Sequence, residues 1–235
     1  HFEKENVKEQ LNILTALDPA FATVNSSPYH KGQKIASSSR NWIYRYSWEP
    51  DFPKSVELWP YTESVDEWKK RMHKAFKEFK KGAMDAGVDE EKFMEHHHPD
   101  RSIWTPIRLR DQFPTVEFRS PDTTTLSSAM KLVEDIENIL EESKNKEVET
   151  GKNPGIKSEK IVLPEFSKLE EISRKAAKEG LNSEEVKNYL ENMQIDTEKY
   201  RPLSEEISNG EEISIEKACT MRLEAAEILE DDLGL

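Results

Sequence analysis

Apolar residues recur at helical spacing in three stretches of the N-terminal half of the chain. They predict helices over 3–17, 64–86 and 123–145, and Asp18-Pro19 is expected to end the first of them. Ser64 and Glu67 form a capping-box pattern, and Gly87 is placed to end that second helix. The third helix is expected to bury the apolar side formed by Leu126, Met130, Val133, Ile136, Ile139 and Leu140.

The period changes to two over residues 103–119, which predicts a hairpin of two strands. Side chains two positions apart share a face of a strand, so Arg108 and Arg110 lie together on one strand, as do Glu117 and Arg119 on the other. Between the first two helices, residues 19–35 are expected to form a loop. Residues 36–62 are expected to form an irregular connection with short extended pieces.

A polar stretch over 147–160, with one proline and two glycines, predicts a linker. A short strand over 161–164 follows, then helices near 165–179, 183–193 and 214–231, with Ser183 and Ser214 as N-caps. The predicted fold class is α+β, an antiparallel sheet with flanking helices followed by an acidic helical region. The predicted domains are 1–146 and 161–235, joined by the linker.

The composition favours a folded protein, because 5 Trp, 9 Phe and 6 Tyr are too many aromatic residues for a disordered chain of 235 residues. The net charge of −13 lies wholly in residues 134–235, since residues 1–133 carry equal numbers of acidic and basic side chains. No basic face is evident, which argues against nucleic-acid or membrane partners. A single cysteine, Cys219, and the absence of a long apolar run suggest a cytoplasmic protein.

Glu117, with Arg108 and Arg119 on the same strand faces, is the strongest candidate for chemistry. It is either a surface ion-pair cluster or a site for phosphate and metal, because guanidinium groups bind phosphate bidentately and a glutamate can hold Mg²⁺.

Two other stretches are weaker candidates. Small polar residues over 25–28, then Gly32 and Arg40, could bring amides and a cation to a ligand or could form a solvated loop, and they do not match a Walker A loop. His96, His97 and His98 are expected to form a solvated loop, since adjacent histidines cannot all face one metal ion.

Several motifs in order resemble the glutamate–cysteine ligase family, in its archaeal and bacterial carboxylate–amine ligase branch. Trp104-x-x-Ile107-Arg108 is followed nine residues later by the strand Thr115-Val116-Glu117-Phe118-Arg119, and then by Asp122. Upstream, Leu14 to Leu17, Asn25-Ser26-Ser27-Pro28, Gly32 and Ser38-Ser39-Arg40 follow the family's order. In the C-terminal part, Tyr189-Leu190, Tyr200 to Ser204 and Arg222-Leu223 are similar to the tail of archaeal members.

The resemblance implies a glutamine-synthetase-like fold that joins glutamate to cysteine or another amine through a γ-glutamyl phosphate. ATP is a substrate and Mg²⁺ the cofactor. By carry-over, Glu117 is a Mg²⁺ ligand, Arg119 contacts the transferred phosphoryl group and Arg40 contacts glutamate. Arg108 is a third catalytic candidate, and the remaining substrate or ATP contacts are expected at His1, Asn25 and Ser26.

The chain departs from the family because it contains no strand of the Gly-x-Glu-x-Glu type, which carries the other metal-binding carboxylates. We therefore expect a C-terminal portion of a ligase, inactive by itself. The alternative is a catalytically silent relative that acts as a regulatory or interaction protein through its acidic part. The oligomeric state stays open.

Overall fold

The structure is a computed structural model that describes residues 6–47, 53–110, 115–122, 124–200 and 214–234. The chain divides into a first unit of residues 1–15 and 43–119, and a second unit of residues 16–42 and 120–235. Helices and short strands are mixed in an α+β arrangement, as predicted in general terms. Within the described ranges, no helix combines the length and the apolar content needed to cross a bilayer.

The elements follow one another along both units. In chain order they are α1 (Val7–Ala16), α2 (Asp18–Val24), β1 (Tyr29–His30), β2 (Gln33–Lys34), α3 (Ser39–Trp42), a π-helical turn (Ile43–Ser47), α4 (Pro53–Val56), α5 (Val65–Asp85), α6 (Glu90–His96), α7 (Pro99–Ser102), β3 (Ile107–Arg110), β4 (Thr115–Phe118), α8 (Leu126–Ser143), β5 (Glu147–Gly151), β6 (Gly155–Ile156), β7 (Lys160–Pro164), α9 (Phe166–Glu179), a 3₁₀ turn (Gly180–Asn182), α10 (Glu184–Asn192), a second 3₁₀ turn (Thr197–Lys199) and α11 (Ile215–Leu233).

Helix α5 supplies much of the core of the first unit. Trp68, Met72, Ala75 and Phe76 are buried along one side of this helix. The hydroxyl of Ser64 accepts a hydrogen bond from the amide of Glu67, which caps the helix as the sequence indicates. The predicted hairpin is also confirmed, because β3 and β4 pair antiparallel.

Helix α9 is the centre of the second unit, where α2 and α3 both pack against it. The amides of Ser37 and Ser38 donate to the carbonyls of Lys178 and Ala177, so that the last turn of α9 is capped by a distant segment. Gly180 ends the helix with a φ of +58°, and a Cβ there would lie 2.0 Å from the Ser37 hydroxyl oxygen. Any other residue at this position would therefore push the capping segment away.

The predicted loop over 19–35 is partly wrong, because Asp18–Val24 is helical. Asp18-Pro19 ends α1 but also begins α2, since a proline is tolerated in the first turn of a helix, where its missing N–H has no partner to lose. The irregular connection predicted over 36–62 is likewise largely helical in its described part, with α3, the π-helical turn and α4.

The linker predicted over 147–160 is a folded part of the second unit. Strand β7 lies between β5, which is parallel to it, and β6, which is antiparallel to it, so this stretch forms part of a mixed sheet that the sequence did not predict. The glycines and the proline of this stretch lie in and beside the turn between β5 and β6. The strand predicted over 161–164 and the three C-terminal helices are confirmed. The Ser214 cap is confirmed, whereas the Ser183 side chain makes no capping bond.

The predicted buried side of helix α8 is only partly confirmed, because Ile139 is buried and Ile136 and Leu140 are half-buried, but the rest of the buried side differs. Ser128, Leu132, Asp135 and Ile139 face inward. Three of the expected core residues lie on the outside of the helix, where Leu126 is 47%, Met130 58% and Val133 45% exposed. Asp135 can lie on the buried side of the helix because its carboxylate accepts a 2.7 Å hydrogen bond from the Tyr200 hydroxyl.

Candidate anion-binding site on the β3–β4 hairpin

The β3–β4 hairpin of the first unit brings the strongest predicted side chains together. Arg108 lies directly opposite Glu117 in the register, and Arg110 lies opposite Thr115, so that both arginines share the face of the glutamate. Arg119 follows β4, and its amide donates to the carbonyl of Pro106 to extend the pairing. The alternation of the sequence thus fixes three arginines and one glutamate on one small surface.

All three guanidinium groups lie at the single carboxylate of Glu117. Its Oε2 accepts hydrogen bonds from Nε of Arg108 at 3.0 Å, from Nη2 of the same residue and from Nη1 of Arg110 at 3.2 Å. Nε of Arg119 lies 3.7 Å from Oε1, the longest of these pairs. Among the described residues, the carboxylate of Glu117 therefore contacts three guanidinium groups on this face.

The four side chains differ in how far they reach solvent. Arg108 is buried, with 5% of its side chain exposed, while Arg110 and Arg119 keep 23% and 20%. Because the buried Arg108 donates two hydrogen bonds to Oε2 of Glu117, it fixes the position of that carboxylate. Arg110 and Arg119 remain accessible to an anionic ligand.

Partial burial acts to raise the pKa of Glu117, but the hydrogen bonds and charge of Arg108, with Arg119 and Arg110, outweigh it and lower the pKa. A depressed folded-state pKa stabilises the fold above the ordinary glutamate pKa of about 4.3, and this contribution is lost as the pH falls through the folded value. We expect the unfolding midpoint of the wild-type protein to fall more steeply below about pH 4.3 than that of Glu117→Gln.

The matched control for this comparison is Glu91→Gln, which changes an exposed glutamate in α6. Thermal melts between pH 3 and pH 7 should show this control following the wild type. Parallel curves for the wild type and Glu117→Gln would contradict the ion-pair geometry.

The described residues do not fit a Mg²⁺ site at Glu117. A magnesium ion needs several oxygen ligands, and no group of three or more His, Cys, Asp or Glu side chains suited to a metal ion occurs within the described ranges. The three guanidinium groups also repel a cation from this carboxylate. The cluster suits an anion instead, because planar guanidinium groups match phosphate and carboxylate oxygens.

An exposed aromatic surface adjoins the arginines in the same unit. The guanidinium carbon of Arg119 lies 4.6 Å from the centre of the Trp104 ring, which is 51% exposed. Tyr44 stacks on Trp104 with ring centres 5.9 Å apart. Arg119 is therefore held by a ring as well as by Glu117, and a ligand on this face would meet both a cation and an aromatic edge.

Arg40, which was expected to contact the substrate glutamate, forms an ion pair and hydrogen bonds within the second unit. Its Nε donates to Asp122, and its Nη2 donates to the carbonyls of Ser120 at 2.9 Å and Pro121 at 2.6 Å. Asp122 in turn accepts a hydrogen bond from the amide of Ser27. This arrangement gives Arg40 a structural task that its position in the sequence does not reveal, because its partners lie about 80 residues away.

The neighbouring predicted residues are buried in the same unit. The Ser26 hydroxyl lies within hydrogen-bond distance of the carbonyls of Thr23 at 3.0 Å and Ser37 at 3.2 Å, so it is tied to the backbone. Asn25 is 1% exposed, and within the described residues its side-chain oxygen and nitrogen have no hydrogen-bond partner. His1 lies outside the described residues.

The sequence interpretation missed Asp18, which is fully buried. Its carboxylate accepts hydrogen bonds from the hydroxyls of Ser120 at 2.6 Å and Ser173 at 2.5 Å, and so connects three distant segments of the second unit. The only sequence signal at this residue is the Asp-Pro pair, which indicates a helix boundary and not a buried polar centre.

The prediction of a solvated loop at the three histidines is only partly confirmed, because His96 ends helix α6 and His97 and His98 make specific contacts. His97 stacks on Phe93 with ring centres 4.5 Å apart, and its Nδ1 lies 3.0 Å from the Ser102 hydroxyl. His98 caps α7, since its Nδ1 accepts a hydrogen bond from the Asp100 amide at 3.3 Å. His97 thus contributes to the packing of α6, whereas the side chains of His96 and His98 are exposed, as expected.

Comparisons of the chain with models of protein families, with curated proteins and with solved structures find no match. The chemistry of the site therefore rests on the arrangement of its side chains.

Proposed function

We propose that this protein is an ATP-dependent carboxylate–amine ligase, of the glutamate–cysteine ligase type, whose β3–β4 face binds anionic groups of the reactants. The observation that carries the proposal is the grouping of three arginines on one face of the hairpin, with the side chains of Arg110 and Arg119 partly exposed to solvent. The motif order from Trp104 to Asp122 supports the same assignment through its resemblance to that family.

The proposed reaction forms an amide through an activated carboxylate. An oxygen of the γ-carboxylate of glutamate attacks the γ-phosphorus of ATP, the bond to the bridging oxygen breaks, and ADP leaves. The amine of cysteine, or of another acceptor, then attacks the acyl carbon and releases inorganic phosphate. The nitrogen loses a proton to complete the amide.

The arginines contribute electrostatic stabilisation to the first of these steps. Charge spreads over the equatorial oxygens of the transferring phosphoryl group, and guanidinium groups fixed in advance stabilise that charge. Arg119 and Arg110 are assigned to phosphoryl or carboxylate oxygens, whereas Arg108 positions Glu117. Arg40 is left out of the substrate contacts because Asp122 and two backbone carbonyls hold its guanidinium group.

A second candidate is a catalytically silent relative that acts as a regulatory or interaction protein. It is favoured by the exposed apolar side of α8, and by the arginine cluster, in which Glu117 is the one carboxylate among the residues that the structure describes. In that case the Glu117 cluster is an ion-pair network that stabilises the hairpin and has no catalytic task.

Release of ADP by the purified full-length protein distinguishes the two candidates. The protein is incubated with Mg·ATP, with and without glutamate, and with each of several amines, including cysteine. Release that requires glutamate and increases with one amine supports the ligase and identifies its acceptor. No release with any amine, from a protein shown to be folded by circular dichroism, favours the interaction protein.

A further inference from the structure

Helix α8 carries an exposed apolar stripe on the side opposite its buried face. The stripe consists of Leu126, Met130 and Val133, which are 45–58% exposed. Their spacing of four and three residues places them in one row, and that row is about 10 Å long. A surface helix normally has one apolar side, so a second one is expected to contact another molecule.

The charges beside the stripe are acidic. Glu134, Glu137 and Glu141 are exposed on α8, and the helix carries five acidic side chains against one lysine. Lys131 pairs with Glu134, and Lys144 pairs with Glu141, which leaves the helix as a whole negative. Helix α11, which contacts α8 through a bond from the Ser127 amide to Asp232, is also acidic.

An apolar stripe beside acidic side chains favours one kind of partner over the others. A second copy of the chain would bring two acidic helices together around the same stripe, which costs electrostatic energy. An anionic lipid surface is repelled for the same reason. A helix with an apolar row and basic residues on either side can pack against the stripe and form ion pairs with the glutamates beside it.

We infer that the Leu126–Met130–Val133 stripe is a docking surface for a basic amphipathic helix of another protein. The apolar row of the partner packs along the stripe, and its lysines or arginines lie beside Glu134 and Glu137. The inference is independent of the ligase assignment, because it concerns α8 of the second unit and involves none of the residues assigned to ATP or glutamate.

The test uses two synthetic peptides of identical leucine and lysine content. In one, the leucines follow helical spacing at i, i+3, i+4 and i+7, and in the other they are scrambled so that no apolar row forms. Fluorescence anisotropy with the full-length protein measures both affinities without ATP or glutamate. We expect the amphipathic peptide to bind at least ten-fold more tightly than the scrambled one.

Met130→Glu should weaken binding of the amphipathic peptide at least ten-fold, because it places a charge in the apolar contact. Met94→Glu is the matched control, since Met94 is 46% exposed on α6, and it should leave binding unchanged. Both residues are exposed, and circular dichroism verifies that both variants are folded.

Three outcomes would overturn the inference. Equal affinity for the two peptides would show a general attraction of lysines to an acidic protein. Equal effects of Met130→Glu and Met94→Glu would place the binding elsewhere. A dimer in sedimentation equilibrium that Met130→Glu dissociates would show that a second copy covers the stripe.

Discussion

Arg119→Ala is expected to lower glutamate-dependent ADP release by about 10- to 100-fold. A hydrogen bond to a charged group contributes about 1.5–3 kcal/mol, and each 1.4 kcal/mol corresponds to about ten-fold in rate. Nε of Arg119 lies 3.7 Å from Oε1 of Glu117 and its Nη1 donates to the carbonyl of Ile103 at 3.2 Å, so the guanidinium group is held in place on the partly exposed face where a phosphoryl oxygen is expected. Initial rates at saturating ATP measure the effect.

The control for this variant is Arg101→Ala, which removes an exposed arginine from α7 in the same unit. We expect it to retain the wild-type rate and the wild-type melting temperature. If Arg119→Ala also retains the full rate, or if Arg101→Ala loses as much, the hairpin face is not the site of phosphoryl binding.

Asp18→Ala is expected to have the largest effect on stability, lowering the free energy of unfolding of the second unit by about 3 kcal/mol. The substitution removes two hydrogen bonds from the buried hydroxyls of Ser120 and Ser173 to a carboxylate, and a hydrogen bond to a charged group contributes about 1.5–3 kcal/mol. It also loosens the connection between three segments that are distant in sequence. Urea unfolding followed by circular dichroism measures the change.

Asp18→Asn provides the comparison, because it keeps one acceptor oxygen and nearly the same volume. We expect it to lose less stability than the alanine variant, and Ser173→Ala, which removes a single donor, to lose less again. A free energy for Asp18→Ala within about 0.5 kcal/mol of the wild type would contradict the role of this carboxylate as a buried acceptor.

The sequence predicted correctly those elements that depend on interactions between residues close together in the chain. The hairpin from 107 to 118 and helix α5 with its Ser64 cap depend on spacing and capping within a few residues, and both are present. The face of Arg108 and Arg110 follows from the same alternation. The candidate site could therefore be located on this hairpin from the sequence.

The predictions that failed depend on distant contacts or on residues with two uses. Asp18-Pro19 ends one helix and begins the next, so a pair taken as a stop signal carries both meanings. Polar residues over 147–160 form strands because β7 pairs with them on both sides. The buried position of Asp135 in α8 is matched by a hydrogen bond from Tyr200, and the structural role of Arg40 depends on its ion pair with Asp122. Neither partner is near in the sequence.

An isotope experiment tests directly whether the γ-carboxylate of glutamate is activated by phosphorylation. The full-length protein is supplied with Mg·ATP, the amine that best promotes ADP release, and glutamate labelled with ¹⁸O in its γ-carboxylate. Attack by the carboxylate oxygen, followed by attack of the amine on the acyl carbon, leaves that oxygen on the released phosphate. We expect one ¹⁸O atom in each phosphate, as measured by mass spectrometry. Phosphate without ¹⁸O, released while ADP accumulates, would contradict it.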